Sequence, residues 1–187
     1  MWITLITLVV VGLMGYISYT RVLNARVAYD RAASDLSLQM EKRRRAVPPL
    51  LDQLLPLMQP NDAPMIDLAA GYALRAQEAP PASVSGFVAE LLLGAEVKRI
   101  FAAIDHYADL KKTPQLEHAR LAYESAEGNM FSSQRTYNFA VQYLRNAVTV
   151  FPGNFFKKHA GNIFQIVQFD TEELKRLGAK DANKLVL

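Results

Sequence analysis

Apolar and polar positions fall into two regimes along the chain. From Met1 to Tyr19 the run MWITLITLVVVGLMGYISY carries no charge. At helical rise such a run extends about 28 Å, close to the roughly 30 Å hydrocarbon core of a bilayer. Trp2, Tyr16 and Tyr19 stand near its two ends, where amphipathic rings favour the interface. A cleaved signal peptide needs a basic n-region and a small-x-small cleavage site, and the run has neither. A buried core helix is shorter and has a polar face. The pattern therefore predicts an uncleaved single transmembrane anchor over residues 1–20. Arg21, Arg26 and Arg31 follow it, with no Lys or Arg before it. By the positive-inside rule the following domain is expected in the cytoplasm.

Beyond Thr20 the spacing becomes helical, and no stretch shows the sustained two-residue alternation of a strand. A first helix is expected from Arg21 to Met58. Its small or apolar positions are Val22, Ala25, Tyr29, Ala32 and Leu36, then Val47, Leu50, Leu54 and Leu57. This 3-4 spacing is the seam of a bundle or coiled coil. Pro48-Pro49 interrupts it and predicts a kink, or a new helix starting at the pair. Turn chemistry follows at residues 60–64, then a short helix from Met65 to Glu78 and a break at Ala79-Pro80-Pro81. Ser83 or Ser85 can cap the next helix, which is expected to run to Tyr107. Its expected apolar face includes Phe87, Val88, Leu91, Leu92, Val97, Ile100 and Ile104.

The clearest pattern runs from Pro114 to Phe151, where Thr113-Pro114 provides an N-cap and a first-turn proline. Leu116, Tyr123, Met130, Tyr137, Leu144 and Phe151 recur every seven residues, with Ala119, Ala126, Ser133, Ala140 and Ala147 between them. One edge of this packing seam is bulky and the other small, which admits a neighbouring helix closely. The first helix begins with the same alternation, so the two are expected to pack together. A weaker helical region follows Pro152-Gly153, with a capping-box-like start at residues 170–173 and a stop at Gly178.

Continuing the first seam by heptads places Gln39 and Arg43 at inward positions. Buried polar groups need partners, and the acidic candidates are Glu90, Glu96, Glu124 and Glu127. One reading is a polar layer of Gln39, Arg43 and Glu127 that holds a small ligand. The simpler one is a structural ion pair that fixes register, or an arginine that snorkels to water. The run Lys42-Arg43-Arg44-Arg45 lies about 33 Å past Thr20 if the helix is unbroken, too far for the host membrane's surface potential. It reads as a solvated face or a surface for an acidic partner.

Composition narrows the chemistry. A chain 51% hydrophobic and 21% charged supports a folded core. The absence of Cys excludes disulfides, thiolate metal sites and Cys nucleophiles. A net charge of +3 falls short of the concentrated footprint of a nucleic-acid binder. His106, His118 and His159 form no HExxH or ExxH motif, and phosphate-binding glycine loops and GxSxG are missing. No catalytic, metal or cofactor residue is assigned.

Several stretches together are similar to a known family. His106-Tyr-Ala-Asp-Leu-Lys-Lys112, Glu127-Gly-Asn-Met130, Tyr137-Asn-Phe-Ala-Val141 and Phe151-Pro152 resemble the E-Y-P-D-L-K-A, E-N-x-I, Y-N-x-x-V and F-P stretches of the LemA family, in order and spacing. Upstream, Leu38-Gln-Met-Glu-Lys-Arg43 and Val47-Pro48 resemble its V-Q-L-x-[KR]-R and L-I-P-N-L. The chain departs at Pro49, His106, Ala108 and Gln134, where the family has Asn, Glu, Pro and often Arg. It departs also at Leu144-Arg145, where the family repeats Y-N. The resemblance implies an all-α fold, a transmembrane helix followed by an elongated antiparallel four-helix bundle, and supplies no reaction.

The expected organisation is an anchor over 1–20, a LemA-like bundle over 21–178 and a tail over 179–187. The expected function is a non-enzymatic interaction or scaffold module, or alternatively a small-ligand sensor using the polar layer. Expected partners are membrane lipid through residues 1–20 and other proteins, with no nucleic acid and no cofactor; the oligomeric state is left open.

Overall fold

The computed structural model describes residues 1–55, 63–80, 82–105, 113–161, 166 and 168–170. These form an all-α helical bundle protein. Its helices are α1 (Trp2–Leu54), α2 (Ala63–Glu78), α3 (Val84–Asp105) and α4 (Pro114–Thr149), followed by a 3₁₀ helix (Gly153–Ala160). The expectations for Met58, for the turn at residues 60–62, for His106 and Tyr107, for the cap at 170–173 and for the tail lie wholly or partly outside the described residues.

The apolar run and the first bundle helix are one continuous helix. Pro48 and Pro49 lie inside α1 and neither ends it. Both are exposed, while Val47, Leu50, Leu51 and Leu54 beside them are buried. The lost amide donors and the crowded carbonyls therefore face water, and burial on the opposite face holds the helix through the pair. Ser83, rather than Ser85, caps α3: its Oγ accepts a hydrogen bond from the Gly86 amide at 3.0 Å.

The chain divides into two compact units, and α1 and α4 each contribute to both. One unit comprises Met1–Asp35 and Arg135–Gln168. Here Tyr29 meets Tyr137 at 5.9 Å between ring centroids, and Val22 lies beside Gly153 past the end of α4. The two helices therefore run antiparallel. Their small residues Ala25, Ala32, Ala140 and Ala147 are buried, as are Val22, Tyr137 and Leu144. A Cβ at Gly153 would collide with the Ala147 carbonyl, so only glycine lets the 3₁₀ helix turn so close to α4. Arg145 Nη2 donates to the Ile166 carbonyl at 2.8 Å.

The other unit comprises Leu36–Gln134 and Phe169–Leu187. Its core draws on four helices: Val47, Leu50 and Leu54 from α1, Ile66 and Ala69 from α2, Leu93, Val97, Ile100 and Ile104 from α3, and Leu116, Ala119 and Tyr123 from α4. Phe101 packs edge-on against Tyr123 at 5.7 Å, and further along α3 Gly94 lies near Glu127. As α3 descends α4 rises, so this pair is antiparallel as well.

The predicted seam of α4 is buried at Ala119, Tyr123, Met130, Ser133, Tyr137, Ala140, Leu144 and Ala147, and half-buried at Ala126. Phe151 departs from it. That residue lies past the helix end at Thr149 and is 68% exposed, because the turn into Pro152 carries it off the helical phase. On α3 the expected Phe87, Val97, Ile100 and Ile104 are buried, whereas Leu92 is exposed and Leu91 only half-buried; Leu93, Glu90 and Gly94 are buried instead.

Candidate functional site

The polar layer expected near Arg43 is present in the second unit. Arg43 sits on α1 one turn before Val47, so the spacing that buries the valine also buries the guanidinium. Its side chain is 2% exposed, and that of its partner Glu90 on α3 is fully buried. Arg43 Nη2 donates to Glu90 Oε2 at 2.6 Å and also to the Glu90 main-chain carbonyl. The other carboxylate oxygen, Oε1, accepts from Arg44 Nη1 at 2.5 Å. One acid on α3 thus binds two consecutive arginines of α1. A buried carboxylate needs such compensation, since its desolvation costs several kcal/mol.

Glu127, the acid expected to complete the layer, plays a peripheral part. It is half-buried, and its ion pair is with Lys98 at 3.7 Å. It nevertheless converges with Arg43 over Gly94. A Cβ built there would lie 3.2 Å from Arg43 Nη1 and 3.7 Å from Glu127 Oε1. Gly94 is the gap through which the guanidinium passes α3.

Tyr123 of α4 completes the cluster. It is fully buried, and its hydroxyl has no hydrogen-bond partner among the described residues. Burial pushes its pKa up to about 12; Arg43 opposes this, while Glu127 and Glu90 add to it. Among the described residues Gln39 Oε1, Arg43 Nε and Glu96 Oε2 are likewise buried without a partner, although the other Glu96 oxygen accepts from Arg99. The Glu90 carboxylate is thus fully paired, while Arg43 Nε and the Tyr123 hydroxyl beside it are not.

The basic run is therefore split by its position on the helix. Arg43 and Arg44 turn inward to Glu90, Lys42 is exposed, and Arg45 is exposed and pairs along the helix with Glu41. Of the three predicted layer residues, Gln39 and Arg43 line the interior and Glu127 flanks it. Glu90, one of the four candidate acids, is the one that pairs with Arg43, and Arg44, Gly94 and Tyr123 join them. The steps from Phe87 to Glu90, Gly94, Val97, Phe101 and Ile104 alternate three and four, a signal that would have put Glu90 inside. Nearby, Gln134 Nε2 donates to the Phe169 carbonyl at 3.1 Å, and Phe169 packs on Phe87 at 4.6 Å. Gln134 thus fastens the segment after α4 to the bundle. Among the described residues no group of three or more His, Cys, Asp or Glu is placed to hold a metal ion.

The family model described as LemA family matches residues 32–177, most of the chain. The protein belongs to the LemA family. No curated protein matches it. The matched region includes the Arg43–Glu90 pair, Gly94 and Tyr123, and ends short of the tail. Within this LemA protein, Gln134 and Arg145 serve as donors to main-chain carbonyls.

Proposed function

We propose that this LemA protein is a non-enzymatic module that crosses the membrane once through residues 1–20. In this reading it presents its helices to other proteins on the cytoplasmic side. The observation that supports the reading is the division of labour within α1. Every side chain from Met1 to Met14 is exposed, in a helix long and apolar enough to cross a bilayer. Farther along the same helix Val47, Leu50 and Leu54 are buried. Arg21, Arg26 and Arg31, just past the apolar run, favour the cytoplasmic side. Crosslinking and affinity capture of the full chain from membranes should recover a specific set of proteins. A Leu74→Glu change, at an exposed position of α2, represents the face-altering variants that should reduce it. Recovery that no such variant alters would contradict the reading. Protease should reach the bundle only in inside-out vesicles; cleavage only in right-side-out vesicles would reverse the orientation.

A second reading is favoured by one observation, the unsatisfied polar atoms around Arg43. A small polar ligand held near Gln39, Arg43 and Glu127 would satisfy them. Thermal melting of the full chain against a panel of metabolites and metal ions should then show a shift that Arg43→Met abolishes. A flat panel, with Arg43→Met functioning normally, would reject it.

A further inference from the structure

Aromatic rings crowd the end of the uncharged stretch of α1. Tyr19, the last residue of that stretch, meets Phe156 at 5.5 Å and His159 at 5.3 Å between ring centroids, both edge-on. The 3₁₀ helix Gly153–Ala160 is therefore seated beside α1 where the apolar run gives way to Arg21. Its seat is built. Gly153 lies against the Ala147 carbonyl, and Arg26 Nη1 donates to the Ala160 carbonyl at 2.8 Å. The axial distance from Tyr19 to Val22 is about 4.5 Å, inside the roughly 5–8 Å headgroup layer on each side of a bilayer.

What this seat displays has the composition of an interfacial anchor. Phe155 is 73% exposed and Phe151 68% exposed, their rings edge-to-face at 5.9 Å. Lys157 and Lys158 follow them, both exposed. The surrounding charge is predominantly basic, although Arg26 also pairs with Asp30 at 3.0 Å. The unit formed by Met1–Asp35 and Arg135–Gln168 carries seven Lys and Arg against two Asp, whereas the rest of the chain carries fourteen against sixteen Asp and Glu. Neither Met1–Tyr29 nor Gly128–Phe169 contains an acid. An isolated exposed Phe needs no explanation. A pair of them beside two lysines, level with the end of an apolar span and within a Debye length of it, fits the surface of an acidic bilayer.

We propose that Phe151–Lys158 forms a second membrane contact beside the span. Phe151 and Phe155 enter the boundary between headgroups and acyl chains, and Lys157, Lys158 and Arg21 bind the phosphates of acidic lipids. The proposal rests on the reading of residues 1–20 as a transmembrane segment. The chain has no cysteine, so a nitroxide label can be placed at will on the full protein. Labels at Val9→Cys, Phe139→Cys and Phe155→Cys are compared in vesicles of mixed phosphatidylcholine and phosphatidylglycerol. Phe139 is an exposed position on α4 about 18 Å before Phe151 along the helix. The labels at Val9 and Phe155 should collide several-fold more with oxygen, relative to a water-soluble nickel chelate, than the label at Phe139. A label at Val9 in lipid with one at Phe155 as wet as that at Phe139 would overturn the second contact and leave the anchor standing. Val9 in water would overturn both. Lys157→Gln/Lys158→Gln should remove most of the difference between acidic and pure phosphatidylcholine vesicles at position 155. No change would overturn the role of the headgroups.

Discussion

Arg43 and Glu90 hold one another in a site closed to water, so removing either leaves the other's charge exposed to a low dielectric. Arg43→Ala should cost about 3–5 kcal/mol in denaturant unfolding, eased toward the lower figure because Arg44 still reaches Glu90. The double variant Arg43→Met/Glu90→Leu should lose less than the sum of its single changes, since no uncompensated charge stays inside. Additive losses would mean that the pair is not coupled. Gly94→Val should destabilise by about 1–3 kcal/mol by crowding the guanidinium, and should cost less in an Arg43→Met background. Tyr123 gives a pH test. Its folded pKa is raised from 10.0 to about 12, so the unfolded chain ionises first. The associated stability is intact below pH 10 and is lost as pH rises from about 10 toward 12. Tyr137 is shifted the same way by burial and by Tyr29, and adds to the fall. Tyr123→Phe should flatten the alkaline decline and leave stability at pH 7 unchanged or higher, because it also removes an unsatisfied hydroxyl. An alkaline profile identical to that of the parent would refute the environment assigned to this ring.

At the scale of elements, α1 carries the sharpest prediction. Pro48 and Pro49 each remove a helical hydrogen bond without ending the helix, so Pro48→Ala/Pro49→Ala should raise stability by about 1–3 kcal/mol and increase helicity by circular dichroism. A loss of stability would show that the prolines set a bend the core requires. The existence and order of the helices were legible in the sequence because caps, prolines and heptads agree on them, as at Thr113-Pro114 and along Ala119 to Ala147. Where hydrophobicity is continuous it sets no phase. The run Leu91-Leu92-Leu93 could face the core through any of its members, and Leu93 is the one inside. That ambiguity also left Glu90 one of four candidate acids for Arg43, although its three-four spacing on α3 puts it in the interior. The heptad count carried Phe151 one step past the end of α4, since a repeat in sequence does not register where the helix stops. Of the two outcomes expected at the proline pair, a new helix starting there does not occur, because the apolar face that α1 buries opposite it carries the helix through.

The molecule as a whole combines a helix whose first turns are exposed and a bundle that buries the same helix farther on. Two compact units each use part of α1 and part of α4. Charge is divided unevenly between them, the basic excess lying in the unit that contains the apolar run. The proposed anchor makes retention in the bilayer depend on residues 1–20 and folding depend on the remainder. The direct test is alkaline carbonate extraction of membranes containing either the full chain or a chain beginning at Arg21, with circular dichroism on both. The full chain should stay with the lipid, and the shortened one should be released while still helical. Release of the full chain by carbonate, or equal retention of the shortened one, would contradict the account.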